Sequence, residues 1–345
     1  MRRLLLLLFW LVALPSHAEI HLRVALEALH EDVARRIAAG QYESVLRDAD
    51  RYLATKERLS DGRWKLAILY GGLDIGYKRA AHTPEEWERR AAELQALAKR
   101  HPHSANGWLM VAQLEASRGW AARGEGYAST ARAEDLAVFE ARIEKERQLL
   151  EDHPVPTNPE WNDMRIQAAA DSGAPQADLD RLFAMAIERE PGYQQNWFTR
   201  LNYARPAWGG SNERMVALIN QAGGVTSPTE GRGMMGRLLQ IAMELGESRL
   251  IDSPKIDWNA VKASYEDVLK RYPDDWNAQW FFFQASMHGD KAEAKHLLTF
   301  VKEPPSPALL GSNVRAYLVC VDWAEGKVPG FVTRDATTGA EKFIE

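Results

Sequence analysis

Apolar residues recur along most of this chain at the three- and four-residue steps of a helix. Trp258, Val261, Tyr265 and Val268 fall on one helical face, and Ala294, Leu297, Leu298 and Val301 on another. Helix starts punctuate the pattern. Thr83-Pro84-Glu85-Glu86 and Ser227-Pro228-Thr229-Glu230 both read as capping boxes, with a hydroxyl for an orphan amide, proline at the first helical position and a reciprocal glutamate. Asn158-Pro159-Glu160 is a similar start. Strand-like alternation is confined to Gly330–Ile344, which reads as a short hairpin or a loose tail. The pattern predicts an all-α chain of about fifteen helices.

The helices are expected in antiparallel pairs. Pro102 precedes Trp108 by six residues, Pro191 precedes Trp197 by six, and Pro273 precedes Trp280 by seven. Six is the distance between the closing proline of one tetratricopeptide repeat and the opening tryptophan of the next. Phe183 and Ala186 then fall where that repeat wants an aromatic and a small residue, and Tyr265 and Val268 match more loosely. The expected fold is a right-handed, tetratricopeptide-like α-solenoid with a concave face. Trp87, Trp108, Trp197, Trp258 and Trp280 are expected to pack between its helices.

The amino terminus changes the compartment. Arg2-Arg3, the apolar run Leu4–Leu14 and Ser16-His17-Ala18 have the layout of a cleavable secretory signal. Eleven apolar residues rise only about 16 Å as a helix, short of the roughly 30 Å hydrocarbon core. The expected division is a leader over 1–18, a helical-repeat domain over 19–326 and a tail over 327–345. The protein is expected in the periplasm or secreted, with no membrane span after cleavage. Composition adds an ordinary globular balance, 46% apolar and 26% charged. Losing Arg2 and Arg3 takes the formal net charge from −5 to −7, without a basic cluster, which argues against nucleic acid as a partner. Cys320, the only cysteine, lies in an apolar run and reads as a small buried hydrophobe.

Three segments resemble an uncharacterised bacterial family, the domain-of-unknown-function family 4034: Arg58-Leu59-Ser60-Asp61-Gly62-Arg63-Trp64-Lys65-Leu66, the stretch Trp120 to Thr130, and Pro206-Ala207-Trp208-Gly209-Gly210-Ser211. The resemblance runs from about Ala38 to Leu245. It implies an exported helical protein and carries no catalytic residue. Where that family's aromatic residues would follow Gly231-Arg232-Gly233-Met234, this chain has Met235 and Gly236.

Candidate chemistry is sparse. Gly231, Gly233 and Gly236 spell GxGxxG, but a capping box precedes them where a dinucleotide fold needs a strand, so close helix packing is the reading taken. Glu247-Ser248 and Gly233–Gln240 resemble pieces of lytic transglycosylases in reversed order; Glu247 is read as a surface residue at a helix end. His101 and His103, or His21 and His30, lack a third ligand at metal spacing. No cofactor is expected. The strongest site candidate is the stretch Arg118–Thr130, read as a long inter-helix loop carrying Arg118, Trp120, Arg123 and Tyr127, with Trp208 in a second turn of the same kind. Arginine offers a fork for a carboxylate or phosphate, and glycines let the backbone approach. The expected function is a protein- or peptide-interaction module with this loop at the rim of the concave face. The alternative is a cell-wall-directed hydrolase whose carboxylates meet only in the fold.

Overall fold

The structure is a computed structural model that describes residues 22–124, 126, 130–247, 250–251, 253–302, 314–334 and 341–345. The expected leader and Tyr127 lie outside the described residues. Among these, fifteen α-helices follow one another: α1 (Leu22–Ala38), α2 (Tyr42–Thr55), α3 (Lys65–Ala80), α4 (Pro84–Arg100), α5 (Gly107–Arg123), α6 (Ala133–Asp152), α7 (Pro159–Asp171), α8 (Gln176–Arg189), α9 (Gln194–Tyr203), α10 (Asn212–Glu230), α11 (Met234–Glu244), α12 (Trp258–Arg271), α13 (Asp275–Met287), α14 (Lys291–Leu297) and α15 (Val314–Ala324). Strands β1 (Phe331–Arg334) and β2 (Glu341–Ile344) pair antiparallel, with Phe331 opposite Ile344. No helix of the described residues is long and apolar enough to cross a membrane.

The helices start and stop where local chemistry says they should, with informative exceptions. Thr83 and Glu86 make both bonds of a capping box on α4, and the Asn158 side chain accepts from the Glu160 amide at the head of α7. The Ser227-Pro228 box opens nothing. It lies within the last turn of α10, where Thr226 Oγ1 donates to the Ala222 carbonyl, and the chain breaks only at Gly231, φ 65°. The reason is that a preceding helix already supplies carbonyls to those amides, which removes the orphan donors a cap would serve. Likewise Arg118, Trp120 and Arg123 belong to α5 itself, and the turn begins only at Gly124. Helix α14 ends at Leu297, short of Val301.

Helices stack as neighbours and as alternates. From α3 to α11 the odd-numbered helices pack on one another in file, with α2 on α4 and α10 on α12 alongside. The expected aromatic wedge is present: the Phe183 and Trp197 rings meet edge to face at 4.9 Å, with Ala186 fully buried beside them. Two apolar clusters result, one running from Val33 to Tyr193 and one from Ile166 to Ile344. Cys320 is fully buried in the second, where burial pushes its thiol up to about 12. Gly236 sits in α11 against Ser264 of α12, where a Cβ would lie 3.1 Å from the hydroxyl oxygen, so this glycine serves helix contact.

Three of the odd-numbered helices are nearly enclosed. None of α7, α9 and α13 carries a fully exposed residue, though part-exposed positions such as Gln167 and Gln195 remain, and some of their polar side chains are bonded to neighbours: Arg200 donates to Asp180 and Gln176, and Gln279 to Asp275. The loop 57–64 between α2 and α3 crosses to the amino-terminal ends of α9, α11 and α13. The Trp64 indole donates to Gly192 O at 3.1 Å, Gln194 to Gly62 O at 3.1 Å, and Arg237 and Asn277 both donate to Asp61 O. Arg58 pairs with Glu230 at 2.6 Å. This clasp joins the two clusters.

Candidate functional site

On the opposite edge, the carboxy-terminal ends of α5, α7 and α9 meet the amino-terminal halves of α6 and α8. Helix α5 approaches α6 closely because position 119 is glycine; a Cβ there would stand 3.3 Å from Arg142 and 3.4 Å from Phe139. That approach sets Trp120 and Arg123, on the last turn of α5, beside Phe139. Gly124 then ends the helix at φ 73°. Trp208 arrives on a 3-10 turn over Pro206–Trp208 that follows α9. Gly209 takes φ 73°, and a Cβ on Gly210 would fall 1.9 Å from Ala204 O, so the turn folds back on α9 only with glycine. Gln176 of α8 clips it in place by donating to the carbonyls of Tyr203 and Trp208 at 2.8 and 3.0 Å.

These elements enclose a cleft of about 790 Å³. Its rings interlock edge to face: Trp120 with Phe139 at 5.1 Å, Trp120 with Trp208 at 6.4 Å, and Tyr203 with Trp208 at 5.0 Å. The Arg123 guanidinium lies over the Trp120 ring at 4.7 Å and the Phe139 ring at 5.4 Å. Asp171, the last residue of α7, lines the same cleft. Its two oxygens accept from Tyr203 Oη at 2.7 Å and Trp120 Nε1 at 2.9 Å. Burial pushes its carboxyl up to about 6, against the opposing pull of those two donors and of the nearby Arg123 charge. Glu146 on α6 is fully enclosed, and burial followed by the charge of Asp171 holds its carboxyl well above the ordinary value. Glu140 and Glu144, both exposed on α6, complete the lining.

Trp120, Arg123 and Trp208, three of the residues singled out in the sequence, are thus brought together from segments more than eighty residues apart. Arg118 is not among them; it turns to Glu88 of α4 at 2.5 Å, which Arg142 also approaches at 3.6 Å. Asp171, Tyr203 and Phe139 carried no motif. One signal for Asp171 was available: an acid ending a helix opposes the macrodipole and is seldom placed there for stability. Elsewhere, Glu247 pairs with Arg205 at 3.4 Å and His101 with Glu43 at 2.7 Å. The chain matches no family model, no curated protein and no solved structure.

Proposed function

We propose that this chain is an exported, tetratricopeptide-like interaction protein that holds a segment of a partner protein or peptide in the Trp120–Trp208 cleft. The observation that carries the reading is the convergence of two tryptophans, a tyrosine, a phenylalanine and one deeply set carboxylate on a single open cleft. Aromatic anchors around a few placed polar groups are the usual composition of a recognition site. The clasp occupies the amino-terminal ends of α9, α11 and α13, and the cleft lies at the carboxy-terminal ends of α5, α7 and α9.

Holding is favoured over hydrolysis by the bonding of Asp171. Both oxygens accept from neutral donors, which stabilises the charged carboxylate, whereas a general acid needs its proton aimed at a leaving group. The test is retention of random twelve-residue peptides on immobilised protein. Trp208→Ala removes one wall of the cleft, and among the described residues it breaks no bond from the indole nitrogen. A tenfold or greater drop in retention is expected; wild-type retention by the variant would end the proposal.

A further inference from the structure

We infer that the cleft selects a basic side chain, an arginine of the partner segment, by seating its guanidinium against aromatic faces and the Asp171 carboxylate. The inference rests on the cleft being the docking site and names what docks there. Three observations carry it. First, among the described residues Asp171 makes no ion pair; only neutral donors hold it, and each oxygen keeps a further lone pair for a ligand. A buried carboxylate whose only nearby positive charge, that of Arg123, is not bonded to it is costly, and a cation from outside offsets that cost. Second, the rings already act as a cation platform, since Arg123 rests over Trp120 and Phe139 without forming an ion pair to Asp171 among the described residues. Third, the lining leans acidic: Asp171 and Glu140 face Arg123, while Glu144 beside them is paired with Arg147 at 2.7 Å, on a chain whose formal net charge is −5. That balance attracts a basic segment and repels an acidic one.

On this reading Arg123 competes with the ligand. It occupies ring faces the visiting guanidinium would use, and its charge opposes the visitor's. An anion-binding cleft would give Arg123 the opposite role, so the sign of one substitution separates the two.

The experiment uses three pools of random twelve-residue peptides, alike except for arginine, citrulline or glutamate at a fixed central position, passed over immobilised full-length protein. Citrulline keeps the shape of arginine and removes its charge. Expected are at least fivefold greater retention of the arginine pool, loss of that preference in Asp171→Asn, and greater arginine-pool retention by Arg123→Gln. Thermal melts check each variant. If Asp171→Asn does not fold, the doubly neutralised Glu140→Gln, Glu144→Gln protein, altered only at exposed positions, must show a reduced preference. Preference for the glutamate pool, loss of binding in Arg123→Gln, or equal retention of all three pools overturns the inference and leaves the cleft as a docking site. No retention of any pool overturns both.

Discussion

Asp171 shows how one residue couples stability to recognition. Its carboxyl is raised from an ordinary value near 3.8 to about 6, so the folded protein holds this proton more tightly than the unfolded chain does. Stability from this group is therefore present at low pH and is lost as pH rises through that window. In Asp171→Asn the dependence disappears. Between pH 7.5 and pH 4.5 the wild type is expected to gain about 2 kcal/mol over the variant, measured by urea unfolding at the two values. Glu160 and Asp163 are also raised by burial, but both proteins share them and their effect cancels; Glu146 keeps its burial in the variant and loses only the push of the Asp171 charge. A pH-independent difference would show that the carboxylate is not buried as described. Beyond its place at a helix end, little in the sequence marked the residue, because its character comes from Trp120 and Tyr203, which lie 51 and 32 residues away along the chain. Trp120, Arg123 and Trp208 were visible because large and charged side chains beside glycine-rich turns are conspicuous whatever they touch.

At the scale of elements, local rules specified helices better than their limits. Capping at Thr83 and Asn158 was readable since each bond lies within four residues. The same chemistry at Ser227 misled because α10 was already running. The role of Arg58–Leu66 was not readable at all: its partners, Gly192, Glu230, Arg237 and Asn277, are between 128 and 216 residues away. What the segment does carry is one glycine that nothing else can replace. Gly62 has φ 95°, and a Cβ there would come within 2.7 Å of the Tyr272 ring and 2.9 Å of Arg237. Gly62→Ala is expected to cost about 2 to 4 kcal/mol, the sum of left-handed strain and displaced neighbours. A denaturant midpoint equal to that of wild type would mean the loop does not engage those helices.

For the whole molecule, the all-α stack was legible from periodicity, and the near-complete burial of α13 was not, because a helix buried on every side shows no amphipathic stripe. Helix α13 runs Trp276–Ser286 without a solvent-facing position. Open arrays of repeats unfold by stages as neighbours let go. Here two apolar clusters are tied by buried bonds through Asp61, Gly62 and Trp64, so a single transition is expected, with helical content and tryptophan fluorescence falling together in urea. In Gly62→Ala the two signals should separate. Two resolved steps in the wild type would show that the clusters are independent.

The clasp also fixes how the chain can change in size. A solenoid with free ends lengthens by duplicating a helix pair, and the new pair needs only to fit its neighbours. In this protein, inserting or deleting a pair between α3 and α9 would carry Gly192 and Gln194 away from Trp64 and Gly62, and the carbonyls of Asp61 and Gly62 would lose the donors that reach them. Descendants of this architecture are thus expected to vary in their turns and surfaces while keeping a constant count of helices, as the segments of a closed ring must.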